Sequence, residues 1–198
     1  MRAVSESTRT RRFSLPDLGD DGVDEAIRSF LSGPQEGRGR RDAAVISTAT
    51  TGGTAFGALE TRIAWLGALR REMARSARYN RPAAVLVIAG ETATSSPEAG
   101  AWLTRVAGPI AHAVQRGVRE TDLVTRTGDA RFQILMPETT EPEASVVAER
   151  VVLDCQVWLQ AVGAPVIVRA AAASADPDTT LEMALERALQ ATEPNRPS

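Results

Sequence analysis

Two residues of opposite charge stand close together directly before an apolar segment. Arg119 and Asp122 are separated by two residues and precede Leu123-Val-Thr-Arg126. An arginine guanidinium is planar and permanently charged, so it can stack on a purine, donate two hydrogen bonds to guanine or pair with a phosphate. An aspartate carboxylate can accept from the N–H groups of a guanine edge. Because both residues directly precede the same predicted strand, their side chains can face one ligand. A surface ion pair that caps the strand is the alternative interpretation.

A glycine-containing turn follows this pair and separates two apolar segments. The second segment ends in Leu135-Met-Pro-Glu-Thr139. The spacing resembles that of the GGDEF domains of diguanylate cyclases, which read R-x-x-D, five residues, G-G-(D/E)-E-F and an apolar strand ending in L-P-x-T. The signature itself is altered here: its framing glycine and phenylalanine are present, but its two acidic positions hold alanine and arginine. In order, the five residues are Gly128, Asp129, Ala130, Arg131 and Phe132.

Two further segments support the resemblance, which covers residues 54–193. Arg75-Ser-Ala-Arg-Tyr-Asn-Arg-Pro82 is similar to the family's A-R-R-Y-x-R-P, and Ala148-Glu-Arg150 is similar to its A-E-R. The resemblance implies an α+β fold of the ferredoxin-like, nucleotide-cyclase type, in which helices cover an antiparallel sheet.

The resemblance also implies that the metal site of a cyclase has been lost. Joining two GTP molecules needs magnesium, which prefers carboxylate oxygens. Alignment from Pro82 puts Ala89 at the first metal-binding aspartate and Glu91 at a second one. Ala130 offers no ligand, and Arg131 adds a positive charge where a cation belongs. We therefore expect no metal, no cofactor and no cyclase activity.

The parts of the family's site that bind GTP differ as well. The segment after the first strand, TATSSPEAGAW, lacks the Asn and Asp with which the family reads guanine, and it is shorter. The lysine expected for the triphosphate aligns with Glu193. A rearranged metal site built from Glu91, Asp129 and Glu138 is conceivable, but solvated surface acids are the favoured interpretation because no pair has ligand spacing.

By the same resemblance, the inhibitory site of the family is retained. There R-x-x-D binds the product, cyclic di-GMP, and an arginine of the following helix often assists. Arg119, Asp122 and Arg150 occupy these positions. We predict a non-catalytic signalling domain that binds cyclic di-GMP. The alternative is a ligand-free interaction scaffold derived from a cyclase, with an unidentified protein partner and a possible homodimer; an active cyclase is the least favoured.

Composition limits the other functions. The chain has 198 residues and is 43% hydrophobic, which predicts one globular domain. Its net charge of −2 provides no positive electrostatic potential that would attract nucleic acid or anionic membranes. We expect a cytoplasmic protein because no apolar run is long enough to span a bilayer.

The single cysteine, Cys155, is predicted to be a buried, unreactive thiol, and the single histidine, His112, lacks partners for a metal site.

The N-terminal region differs from the rest of the chain. Residues 1–53 are rich in Ser, Thr, Gly, Asp and Arg and are predicted to form a largely disordered arm, with a short helix around Val23–Leu31. Residues 194–198 are interpreted as a tail.

Hydrophobic periodicity predicts a helix, then the order β-α-β-β-α-β, then a closing helix, within residues 54–193. The first helix is predicted from Phe56 to about Tyr79, with its apolar residues facing the core. These residues are Phe56, Leu59, Ile63, Leu66, Leu69 and Met73. Pro109 is expected to kink or split the second helix.

Overall fold

The computed structural model of the protein describes residues 59–92, 96–176 and 179–193. The predicted arm (1–53), its helix around Val23–Leu31 and the tail (194–198) lie outside the described residues.

Within the described residues, the helices and strands follow in the predicted order. The elements are α1 (Arg62–Tyr79), β1 (Ala83–Thr92), α2 (Pro97–Gly117), β2 (Leu123–Gly128), β3 (Arg131–Pro137), α3 (Glu141–Ala161), β4 (Val166–Ser174) and α4 (Leu181–Ala191).

The four strands form one antiparallel sheet in the order β2-β3-β1-β4. Strand β1 lies in the centre, where Ala84 pairs with Met136 of β3 on one side and with Ser174 of β4 on the other. This order follows from two β-α-β units whose strands interleave, and it confirms the predicted ferredoxin-like α+β sandwich.

Helices cover both faces of the sheet, which explains why β1 is apolar at successive positions. On one face, Leu86 and Ile88 of β1 pack with Phe132 of β3 against α2 and α3. On the other face, Val85 and Val87 pack against α1 and α4. The signature Phe132 is fully buried in the first of these cores.

Helix α1 begins later than predicted, at Arg62 with Thr61 as its N-cap. Its buried face is also different. Trp65 is fully buried and donates from its indole N–H to the carbonyl of Leu123 over 2.9 Å, whereas Ile63, which the apolar periodicity placed inside, is 85% exposed. The tryptophan's size and its hydrogen bond fix the rotation of the helix and turn Ile63 to the surface.

Helix α2 is one continuous helix from Pro97 to Gly117, so of the two expected effects of Pro109, a kink or a split, the split was wrong. Proline removes one helical hydrogen bond. Its neighbours Ala107, Ile110 and Ala111 are buried in the core. The packing of this face offsets the missing bond and keeps both halves in one helix.

Candidate functional site

The R-x-x-D residues form a tight turn between α2 and β2. The backbone N–H of Asp122 donates to the carbonyl of Arg119 over 3.2 Å. In return, the backbone N–H of Arg119 donates to the Oδ2 of Asp122 over 2.7 Å. The carbonyl of the next residue, Leu123, accepts a hydrogen bond from the indole N–H of Trp65. The turn is therefore closed by its own backbone and tied to α1.

The carboxylate of Asp122 lies inside the protein, and its residue is only 7% exposed. Burial raises the pKa of this carboxyl, against the opposing effects of the hydrogen bond from the Arg119 backbone and of the Arg119 charge. Its second oxygen, Oδ1, is buried and has no hydrogen-bond partner among the described residues. One acceptor of this carboxylate is thus left unused.

Arg119 is exposed, and its guanidinium makes no hydrogen bond or ion pair within the described part of the chain. Its charge acts on the first turn of α3. There, hydrogen bonds from Thr140 lower the pKa of Glu143, and the Arg119 charge lowers it further. The guanidinium therefore stands at the surface between the turn and α3, available to an anionic or planar ligand.

Arg150 lies on the exposed side of α3 beside the same turn. Its guanidinium donates to the carbonyl of Gly117, the last residue of α2. Gly117 allows this approach, because a Cβ at that position would lie 2.6 Å from the Cγ2 of Val151. The structure thus places Arg119, Asp122 and Arg150 at the end of α2, and the close contact at Gly117 was not foreseen.

The altered signature forms the hairpin between β2 and β3. Gly128 pairs with Arg131, and Asp129 and Ala130 make the turn. The turn is fixed by Arg126, whose guanidinium donates to the carbonyls of Gly128 and Asp129 over 2.9 Å.

The end of β1 lies directly against this hairpin. The N–H of Gly90 donates to the carbonyl of Ala130 over 2.8 Å. A Cβ on Gly90 would lie 2.8 Å from the Cβ of Ala130 and 3.3 Å from the Cδ1 of Ile110. The space between strand end and hairpin is therefore filled by alanine and isoleucine side chains.

The three positions at which the resemblance places metal binding do meet here. Ala89 is buried and pairs with Arg131 across β1 and β3, and Ala130 is buried in the adjacent turn. Neither alanine side chain carries a ligand atom, and Arg131 supplies a positive charge. Magnesium requires oxygen ligands, so these residues do not fit the metal of a cyclase.

The remaining acidic residues near the hairpin are separately paired with arginines. Glu91 pairs with Arg169 over 3.1 Å, and Asp129 with Arg126 over 3.5 Å. In the described ranges, no three His, Cys, Asp or Glu residues are grouped to hold a metal ion.

Glu138 pairs with two arginines that flank the end of α1. Arg75 and Arg81 donate to its Oε1 over 3.0 and 2.8 Å, and the hydrogen bond from Arg75 and the charge of Arg81 lower the pKa of Glu138. This link between two sequence segments was not predicted, although both had been noted for their resemblance to family motifs.

An open cavity of about 340 Å³ is lined by residues of α3, β4 and α4. None of its lining residues is a predicted site residue. Those residues are Ala148, Glu149, Val152, Val168, Arg169, Ala170 and Ala191.

None of the helices in the described ranges is long and apolar enough to cross a membrane.

No protein-family model matches the sequence, and no curated protein matches it. Solved structures do match. The diguanylate cyclase SiaD of Pseudomonas aeruginosa, solved in complex with its activator SiaC, is 26% identical over 67% of this chain with a TM-score of 0.53; the match spans 53% of the SiaD chain.

Two further matches have lower identity and cover most of the matched chain. The FimX GGDEF domain of P. aeruginosa is 18% identical over 67% of this chain and 86% of its own, with a TM-score of 0.55. The GGDEF domain of DgcB from Caulobacter crescentus, solved in complex with c-di-GMP, is 19% identical over 76% and 90%, with a TM-score of 0.53. Together with the sheet order and the signature hairpin, these matches show that the described part of the chain has the fold of a GGDEF domain.

Proposed function

We propose that this chain is a non-catalytic GGDEF-type signalling domain that binds cyclic di-GMP through Arg119, Asp122 and Arg150. The observation that carries the proposal is the exposed Arg119 guanidinium, which has no partner in the described part of the chain, at the same turn as Arg150 and Asp122.

The chemistry of the ligand matches these groups. Cyclic di-GMP offers two guanine bases and two phosphates. Arg119 can stack on a base, donate to its O6 and N7, or pair with a phosphate. Arg150 donates to one backbone carbonyl and keeps its full charge for a phosphate. The solved complex of the DgcB GGDEF domain with c-di-GMP supports this ligand class.

Asp122 supplies an acceptor that lacks a partner. Its Oδ1 is buried without a hydrogen bond, which costs about 1–3 kcal/mol for such a group. A guanine N–H would provide the missing donor. Because Oδ1 is covered in this structure, we propose that binding moves the neighbouring side chains aside before the base reaches it.

Several observations support the non-catalytic part of the proposal. Ala89 and Ala130 present no ligand atoms, and Arg131 opposes a cation. The strand end and the hairpin are packed against each other through Gly90 and Ala130. Restoring a metal site would thus require both new carboxylates and more space.

A ligand-free interaction scaffold is the second candidate function. The hydrogen bond from the Arg119 backbone to Asp122 favours it, because this bond gives the aspartate a structural role without any nucleotide. A protein partner is also compatible with the fold, since SiaD was solved with its activator SiaC.

Isothermal titration of the full chain with cyclic di-GMP and, separately, with GTP distinguishes these functions. We expect binding of cyclic di-GMP at micromolar protein and no heat from GTP with magnesium. Absence of binding by both nucleotides would favour the scaffold, and GTP binding with turnover would favour a cyclase.

A further inference from the structure

The outer face of α1 is both apolar and strongly basic. Ile63 is 85% exposed and Leu66 37%, although the opposite side of the same helix, which includes Trp65 and Leu69, is buried in the core. Three exposed arginines lie on the Ile63 side, within about 80° of Ile63 around the helix axis. They are Arg70, Arg71 and Arg78. We call these five residues the α1 outer face.

The positive charges of the α1 outer face are not neutralised within the described part of the chain. The acidic residue of α1, Glu72, is 8% exposed and pairs with Arg75 instead. No ion pair joins these three arginines to another described residue, and Arg78 lies over the ring of Tyr79 at 5.4 Å. Such a face favours an acidic partner that also carries apolar side chains.

A segment of the same chain has these properties. Residues 17–31 read Asp-Leu-Gly-Asp-Asp-Gly-Val-Asp-Glu-Ala-Ile-Arg-Ser-Phe-Leu and contain five acidic residues and one arginine. Val23, Ile27, Phe30 and Leu31 have the spacing of one face of a helix. The segment lies outside the described residues.

We propose that residues 17–31 dock on the α1 outer face, with apolar side chains on Ile63 and Leu66 and acidic side chains on the surrounding arginines. This contact is independent of cyclic di-GMP binding. It buries apolar side chains of the segment against those of α1. The acidic segment is attracted to the arginines of this face and is repelled by Glu149 and Asp154 on the exposed surface of α3.

The connection between the segment and the helix is long enough. Residues 32–58 supply 27 residues, and a chain of that length reaches up to about 90 Å when fully extended. Helix α1 has 18 residues and is therefore about 27 Å long. The segment can reach every part of the face, and the tether makes docking an intramolecular event.

Paramagnetic relaxation in the full chain tests this contact. A spin label is attached at Ser29→Cys, and amide signals of the ¹⁵N-labelled protein are compared with those of the reduced label. We expect broadening on the exposed side of α1, around Ile63, Leu66 and Arg70, and little on α3. Broadening should weaken between 50 mM and 500 mM salt because the attraction is screened.

Matched charge reversals provide the controls. Arg70→Glu should remove the broadening, whereas Arg116→Glu, an equal change on exposed α2 surface, should leave it unchanged. Reversing both sides together, with Asp20→Arg and Asp21→Arg added to Arg70→Glu and Arg71→Glu, should restore it.

Three outcomes would overturn the proposal. They are the absence of broadening on α1, broadening that persists in Arg70→Glu, and broadening seen only between a spin-labelled molecule and a separate ¹⁵N-labelled one. The last outcome would assign the face to the segment of a second copy.

Discussion

The backbone N–H of Arg119 donates a 2.7 Å hydrogen bond to Oδ2 of Asp122, so the two residues are joined through the main chain and not through an ion pair of their side chains. The bond holds the turn in place and leaves the guanidinium at the surface. The same turn can thus have a structural role and a binding role, which substitutions can separate.

The substitution Asp122→Asn should reveal the structural role of Asp122 through the pH dependence of the free energy of unfolding. Burial raises the pKa of this carboxyl above its unfolded value of about 4. Its contribution to stability is therefore full below about pH 4 and is lost as the pH rises through the folded pKa. Asparagine keeps an acceptor for the Arg119 N–H but does not ionise.

We expect denaturant unfolding to show Asp122→Asn gaining stability relative to wild type as the pH is raised from 4 to 7. Asp154→Asn, at an exposed position of α3, is the control and should show no such trend. A relative loss of stability at pH 7 would mean that the ionised carboxylate stabilises the turn.

Cyclase activity should be absent. Ala89, Ala130 and Arg131 leave magnesium or manganese without side-chain ligands. Purified protein incubated with GTP and either metal should yield no cyclic di-GMP by chromatography, while an active diguanylate cyclase run in parallel yields product. Product that scales with the concentration of this protein would contradict the assignment.

Adding one methyl group at the contact between β1 and the signature hairpin should lower the stability of the fold. Gly90→Ala puts a Cβ 2.8 Å from that of Ala130 and should destabilise the fold by about 1–3 kcal/mol. Gly100→Ala is the matched control, because a Cβ there meets nothing within 4 Å. In that helix, alanine should be neutral or stabilising by up to about 1 kcal/mol. Chemical denaturation measures both, and equal stabilities would show that the hairpin is free to move.

Cys155 should be inert in the folded protein. Burial, with a contribution from Asp154, raises the pKa of its thiol to about 12, so the reactive thiolate is scarce at neutral pH. A chromogenic disulfide reagent at pH 8 should react slowly with the native protein and rapidly in denaturant. Fast native labelling would show that α3 opens readily.

The element order and the sheet could be predicted because apolar periodicity and turn residues act locally. Strand β1 illustrates this, since its run of apolar residues identifies a strand covered on both faces. The rotation of α1 could not be predicted, because it depends on the hydrogen bond from Trp65 to Leu123, a residue distant in sequence. The continuity of α2 through Pro109 likewise depends on packing.

The binding site of Arg119, Asp122 and Arg150 stays a prediction, and its geometry was not foreseen from the sequence. The spacing of Arg119 and Asp122 was interpreted as two side chains that face one ligand, but Asp122 faces inward with an unpartnered oxygen. The place of Arg150 depends on the close contact between Gly117 and Val151, which no local pattern specifies.

The most direct test of the account is the affinity of the full chain for cyclic di-GMP before and after Arg119→Ala, measured by isothermal titration. A charge-assisted hydrogen bond contributes about 1.5–3 kcal/mol, so we expect Kd to rise about ten- to a hundredfold. Arg131→Ala, which removes an arginine from the hairpin, should leave Kd unchanged, and Arg150→Ala should have a smaller effect than Arg119→Ala. Equal affinities of wild type and Arg119→Ala, or no binding at micromolar protein, would contradict the account and leave the scaffold as the function.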